Sequence, residues 1–426
     1  MRVEPAGALT GAIGLPGDKS VSHRAVLLGA IGEGDTTIEN FGRSADTEAT
    51  VRAVRALGVE VVETGFDALR VRGAGLRGLS PPAQPVDCAN AGTLMRLVAG
   101  ILAGQRGRFE LVGDESLSTR PMDRIAEPLR RMGARIDTQQ GLPPLVIEGG
   151  ELHAIDYELP VASAQVKSAI LLAGLYAEGT TTVVEPLPTR DHTELMLEAA
   201  GAPVRRRPGS VSVEAAERLE LGAIEVPGDF SSAAPFLVAA TLLAGSELFI
   251  QGVGLNPRRT GLLDVLERMG ARVTVFNKRR SGGELLGDVE VRSAELVATT
   301  IEPGEVPRMV DELPLFALAA AGARGDSVVR GAGELRVKET DRIESVTSSL
   351  RALGIRIESR DDGFRVRGVP TRPKGGGMVS QGDHRIAMLG AVAGLVSREG
   401  VEVGDAEAVT VSFPGFFDLM ESVASR

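Results

Sequence analysis

The sequence predicts an α/β (α+β) protein of two domains, each built from three copies of a βαβαββ unit. Three observations predict it. The chain has 426 residues, more than a single hydrophobic core normally serves, so two domains of roughly 200 residues are expected. A pattern of apolar helix, glycine, alternating strand and turn recurs six times, marked by Gly34, Gly107, Gly179, Gly245, Gly325 and Gly400. The helix before each marker is apolar on all faces, as at 234–243 and 386–396, and such a helix is buried. A unit of about 70 residues cannot enclose a core alone. Three must therefore share one, with their helices gathered inside.

Each remaining element has its own signal. A second helix ends at a glycine (Gly58, Gly133, Gly201, Gly270 or Gly354), and the alternation after it predicts a β-hairpin. The first helices open at 16–20 (PGDKS), 89–93 (ANAGT), 162–165 (ASAQ), 227–232 (PGDFSS), 310–314 (VDELP) and 382–385 (GDHR), all rich in cap-forming or small residues. Pro-Gly punctuation puts the interdomain crossings near 14–17 and 226–228. Residues 1–15 plus 228–426 then form one domain and 16–227 the other. Pseudo-symmetry would gather the first-helix N-termini at one end of each domain. Two such ends facing each other would make a strongly positive cleft, and the domains would close on the first polyanion to bind.

Composition narrows the function. The net charge of −10 disfavours nucleic acid. Aromatic residues make up 3% and tryptophan is absent, against base-stacking platforms and membrane belts. The single cysteine, Cys88, excludes an intrachain disulfide and fits a reducing compartment. Neither a signal peptide nor a long uncharged apolar run is evident, so a soluble cytoplasmic protein is expected. Gly73-Ala74-Gly75-Leu76-Arg77-Gly78 matches G-x-G-x-x-G, but Ser80-Pro81-Pro82 follows where a dinucleotide site needs a helix. His23, His153, His192 and His384 are scattered, so no metal is expected.

The most informative segment is Pro16-Gly17-Asp18-Lys19-Ser20-Val21-Ser22-His23-Arg24, just before the apolar run 25–31. A turn, cap residues and a helix start favour an anion. Lys19 and Arg24 have no structural benefit at a helix N-terminus unless an anion lies between them and the dipole. Alone, the segment reads equally well as a capped surface helix with solvated cations. Arg120 sits where Pro121 begins a helical turn, and Arg385 opens a buried helix. Lys338 and Arg342 are four apart, where like charges repel modestly unless they share an anion. Glu339 between them and Asp311 at another helix start are candidates for proton transfer. Alone, 334–342 also reads as an ordinary solvated face.

In sequence order, the motifs LPGDKSVSHR, ANAGTLMR, STRPMDRI, SAQVKSAILLAGL, TRDHTELML, GDFSSAAPFLVAA, DELPLFALAAA, ELRVKETDRI, GDHRIAM and SFPGFFDLM closely resemble the 5-enolpyruvylshikimate-3-phosphate synthase family, in a bacterial branch. The resemblance implies an inside-out α/β barrel in each domain, an active site in the interdomain cleft, and no metal or cofactor. It implies transfer of the enolpyruvyl group of phosphoenolpyruvate to the 5-hydroxyl of shikimate 3-phosphate, in the shikimate pathway. Lys19, Gly92, Arg120, Gln165, Arg342 and Arg385 would surround phosphoenolpyruvate. Lys19, Ser20, Arg24, Ser163, Ala164, Gln165, Arg190, Asp311 and Lys338 would hold shikimate 3-phosphate. Asp311 and Glu339 would handle protons, with Lys19 or Lys338 as partner. The small-molecule substrates would be the only partners of a monomer.

Departures from the family pattern are Ala164 within Ser163-Ala164-Gln165, Glu334 in place of an asparagine, Val411 (followed by Ser412) in place of a lysine before the terminal Phe-Pro, and Leu97 where glyphosate-sensitive members have proline. Gly92 leaves room for that inhibitor in the phosphoenolpyruvate site. Two alternatives are a UDP-N-acetylglucosamine enolpyruvyl transferase and a non-catalytic relative acting as a binding module. The first typically opens with G-x-K-N-A, whereas Ser20 follows Lys19 here. The second would have lost several of Lys19, Asp311, Lys338, Glu339 and Arg385.

Overall fold

A computed structural model describes residues 1–425. The chain forms two compact units. The middle unit comprises residues 17–227 plus 280–285; the terminal unit comprises 1–16, 228–279 and the chain from 286 onward. Segment 280–285 is the tip of a hairpin whose strands are Arg272–Ser281 and Glu284–Arg292.

In the middle unit the helices are α1 (Lys19–Ile31), α2 (Ala45–Ala56), α3 (Gly92–Ala103), α4 (Asp123–Arg131), α5 (Ala164–Gly174) and α6 (His192–Ala199). Three four-stranded sheets repeat one order. A short strand lies parallel to the strand after a marker glycine, which pairs antiparallel with a hairpin. Thus Val86–Asp87, Gly107–Val112, Leu142–Gly149 and Arg135–Gln139 are neighbours. So are Asp156–Glu158, Thr180–Val184, Ser210–Glu214 and Val204–Arg207. The first sheet borrows its short strand, Ala223–Glu225, from the far end of the unit, beside Asp35–Glu39. That pairing closes three repeats into a ring. Inside lie α1, α3 and α5, with residues 21–31 of α1 all buried. Gly100 lets α3 press against α5; a Cβ there would stand 2.2 Å from the Ala169 carbonyl oxygen.

The terminal unit holds α7 (Phe230–Leu242), α8 (Gly261–Arg268), α9 (Leu313–Ala321), α10 (Arg342–Ala352), α11 (His384–Val396) and α12 (Phe416–Val423). Every residue of α9 is buried, as are 386–396 of α11. Two sheets follow the same order, built on Glu247–Gly254 and Gly325–Val329. The sixth copy ends differently. Val401–Gly404 pairs in parallel with Gly376–Val379, but its other neighbour is Arg2–Val3. No helix-glycine-hairpin pattern follows Gly400, so the chain's beginning supplies the missing edge.

All six marker glycines, and all five glycines that end second helices, have φ between 73° and 127°. Other residues are strained there, which is why the repeat is visible as a glycine pattern.

Candidate functional site

The first helices begin within the predicted openings, which gather chemistry at their N-termini. In the middle unit, Asp18 caps α1 by accepting from the Val21 N–H at 3.0 Å. Lys19, the first helical residue, lies 3.0 Å from Asp46 of α2, a partner that sequence reasoning missed. Both are partly exposed, and such a pair contributes about 0–1 kcal/mol. Ser20 follows in the same turn.

α3 starts at Gly92 without a side-chain cap. A Cβ on Gly92 would stand 2.8 Å from Nη1 of Arg96 and 3.4 Å from Nη1 of Arg120. Two guanidinium groups therefore flank this position. Arg96 donates to Gln165 Oε1 at 3.0 Å, and Gln165 donates to Thr93 Oγ1 at 3.0 Å, joining the openings of α5 and α3. Burial, with Arg120 and Arg124 nearby, pushes Arg96 down to about 10. Arg120 donates to Asn90 Oδ1 at 2.8 Å and Ser116 Oγ at 3.2 Å. It follows a short 3-10 turn, and α4 begins only at Asp123. Ser163 caps α5, accepting from Val166 N–H at 3.4 Å, and Ala164 is the first helical residue. Arginines crowded at helix N-termini are unfavourable until an anion joins them.

Arg24 is buried. It donates to Thr193 Oγ1 at 2.7 Å, Ser168 Oγ at 3.0 Å and the Ser20 carbonyl at 2.8 Å. Burial lowers it to about 10, so it stays charged at neutral pH. Beside it Lys167, fully buried, lies 3.0 Å from Glu185 and 2.6 Å from Glu194. Glu185 also accepts from the Thr189 N–H at 2.9 Å. This network fixes the segment that carries Arg190 into α6. Lys167 was missed because a lysine in an apolar helix looks like a solvated outlier.

The corresponding end of the terminal unit is different in charge. Asp229 and Asp383 cap α7 and α11, and Asp341 caps α10. Arg342, almost fully buried, donates to Asp383 at 2.8 and 3.2 Å, to Glu339 at 2.7 Å and to Asp311 at 3.4 Å. Burial opposes its charge, but these carboxylates outweigh that and raise it. Burial likewise opposes the Asp383 carboxylate, yet hydrogen bonding and the charge of Arg342 hold it below the usual range. Arg259 lies 3.3 Å from Asp229, 3.7 Å from Asp311 and 3.8 Å from Glu312. Glu312 is wholly buried and accepts from Ser231; burial raises its carboxyl. Arg385 reaches the Ser231 carbonyl at 3.4 Å, while its buried Nε has no hydrogen-bond partner among the described residues.

Two expectations need correction. This end is not strongly positive, because cap aspartates at the helix starts are paired with the arginines. Lys338 and Arg342 do not share a helix face either. Lys338 ends a 3-10 segment, Gly333–Val337, and Asp341 starts a new helix at Arg342. Lys338 instead pairs with Glu334 at 2.5 Å. Arg259, Glu312 and Asp383 carry this cluster and were missed, although Arg259 in Asn256-Pro257-Arg258-Arg259 also precedes a helix.

His23 is buried and pushed down to about 3 by burial, then by Lys19, so it is neutral. Burial raises the Cys88 thiol, which leaves no thiolate for chemistry. Among the described residues no helix is long and apolar enough to cross a membrane.

Two units built from the same three-fold repeat, one gathering cations at its helix openings and the other holding buried carboxylates on arginines, are the features of the enolpyruvyl transferase class. The family model of EPSP synthase (3-phosphoshikimate 1-carboxyvinyltransferase) matches residues 3–420. A 3-phosphoshikimate 1-carboxyvinyltransferase of Acidithiobacillus ferrooxidans is 51% identical over 97% of this chain and 95% of its own length. One from Bacillus licheniformis is 46% identical over 98% of both. The solved EPSP synthase of Acinetobacter baumannii superposes with a TM-score of 0.94 at 42% identity, covering 99% of this chain and 97% of that one. The enolpyruvyl transferase NikO of Streptomyces tendae, 20% identical, shares the fold with a TM-score of 0.78, covering 99% and 96%. The chain belongs to the EPSP synthase family. It is an enzyme, a transferase that forms 5-enolpyruvylshikimate 3-phosphate in aromatic amino-acid biosynthesis.

Proposed function

We propose that the clusters of both units act on one pair of substrates, phosphoenolpyruvate and shikimate 3-phosphate. The observation that carries this is the crowding of Arg96 and Arg120 over Gly92, beside Gln165. On this reading Lys19, Gly92, Arg120, Gln165, Arg342 and Arg385 take phosphoenolpyruvate. Ser20, Arg24, Ser163, Ala164, Gln165, Arg190, Asp311 and Lys338 take shikimate 3-phosphate, with Lys19 touching both. The 5-hydroxyl attacks C2 of phosphoenolpyruvate and gives up its proton while C3 gains one, with Asp311 and Glu339 handling the protons and Lys19 or Lys338 as partner. The tetrahedral intermediate then loses phosphate and one C3 proton. Cations already in place stabilise the shifting charge without reorganising. The enzyme works as a cytoplasmic monomer.

The test is phosphate release with phosphoenolpyruvate and either shikimate 3-phosphate or UDP-N-acetylglucosamine. Release with the second acceptor alone would overturn the reading. The same assay addresses Glu334, whose pairing occupies Lys338. Glu334→Asn is expected to lower KM for shikimate 3-phosphate by up to about fivefold, the worth of an exposed ion pair. An unchanged KM would mean that Lys338 does not contact this substrate.

Gly92 decides the fit of glyphosate. Its backbone is not left-handed, so alanine is tolerated by the helix. The new methyl displaces the Arg96 guanidinium and narrows the space beside Arg120. Leu97 lies fully buried within α3, which runs unbroken. Overpacking of this kind costs about 1–3 kcal/mol. Gly92→Ala is expected to raise the inhibition constant about 10–100-fold, measured in competition with phosphoenolpyruvate. Equal inhibition of both proteins would remove Gly92 from the pocket.

A further inference from the structure

The C-terminal ends of α7, α9 and α11 surround an open cavity of about 970 Å³. It lies at the ends of these helices opposite the cluster described above. Leu242, Leu318, Ala321 and Val396 give it an apolar floor. Arg272, Arg324 and Arg372 also line it. Glu295 pairs with Arg324, but the side chains of Arg272 and Arg372 are exposed and make no hydrogen bond or ion pair among the described residues.

The middle unit fills the corresponding place with its own side chains. Tyr176, beyond the end of α5, lays its ring on Gly104 at the end of α3, where a Cβ would stand 2.1 Å from the ring. Arg77 covers that ring at 5.4 Å and donates to the Gly104 carbonyl at 2.9 Å. The repeat supplies the comparison. Tyr176 precedes its marker Gly179 by three residues, as Leu242 precedes Gly245. Arg77 follows Arg70-Val71-Arg72-Gly73 by four residues, as Arg372 follows Arg365-Val366-Arg367-Gly368. In the terminal unit the arginine is retained and the ring is missing.

We propose that this cavity binds a small aromatic molecule carrying an anionic group. Leu242 packs on Gly322 where Tyr176 packs on Gly104 but is smaller, and the ring lies against Leu242 in the space this leaves beneath Arg372. The charge turns outward to Arg272 and Arg372, because helix C-terminal carbonyls repel an anion from the floor. A guanidinium over an aromatic face adds attraction, and the volume suits a small ligand.

The probe is 4-hydroxyphenylacetate, a tyrosine side chain ending in a carboxylate, titrated into the full chain by calorimetry. One saturable site is expected, unaffected by saturating shikimate 3-phosphate. Leu242→Tyr, which supplies the ring internally, and Arg372→Ala, on an exposed residue whose loss leaves folding intact, should each weaken binding at least about tenfold. The proposal is overturned by no saturation below about 10 mM, or by unchanged binding in either variant. Displacement by shikimate 3-phosphate also overturns it, since the probe would then occupy the catalytic residues.

Discussion

Lys19→Met is expected to lower kcat/KM about 10²–10³-fold, the usual loss when one preorganised charge contact to the transition state is removed. The fold should persist. Among the described residues the ion pair lost is the partly exposed contact with Asp46, so stability falls by about 1 kcal/mol or less. Methionine keeps the stem and the helix propensity. Thermal unfolding and phosphate release on one sample separate the effects. Near-normal turnover in the folded variant would remove Lys19 from the mechanism. Asp46→Asn is the internal control, since it frees the ammonium without removing it. It should keep most activity, which a structural role for the pair would not predict.

The repeat was legible because glycine is the only residue that adopts its left-handed junctions without strain. The markers Gly34 to Gly400 therefore stand out from any background, and the apolar helices between them announce burial. The sixth hairpin was not legible as an absence. Its edge is supplied by Arg2–Val3, and nothing local to 401–411 says which distant strand will pair there. The site divides in the same way. Residues opening a first helix, such as Lys19, Gly92, Gln165 and Arg385, were legible as helix openings because cap chemistry is local. Arg259, Glu312 and Asp383 were not, since their roles arise from ion pairs between separate helix openings. The Lys338–Arg342 spacing misled because helical geometry was assumed across Asp341, whose side chain accepts from Ile343 and Glu344 and starts a new helix. Lys167 shows the same limit in the core. Its neighbours Glu185 and Glu194 lie 18 and 27 residues away in sequence, on separate elements.

Lys167→Met should have the largest effect on stability. The lysine has no exposed surface, and Glu185 and Glu194 are nearly as buried. Removing one partner of such a group leaves uncompensated buried charge and costs about 3–5 kcal/mol. Even in the intact protein, burial outweighs the attraction of Lys167 and raises the Glu194 carboxyl. Without the ammonium, a glutamate should protonate rather than remain charged. The sign of the pH dependence follows. Unfolded glutamate releases its proton near about 4.3, whereas the folded variant holds it to higher pH. The folded state then binds more protons, so stability falls as pH rises from about 5 to 8. Denaturant unfolding of both proteins at several pH values measures this. The variant should lose stability more steeply than the wild type across that window. A parallel pH dependence would mean that water or movement of the 185–191 segment relieves the carboxylates. Because that segment carries Arg190, the folded variant should also show a raised KM for shikimate 3-phosphate, with KM for phosphoenolpyruvate little changed. Equal rises in both would trace the effect to general loosening of the unit.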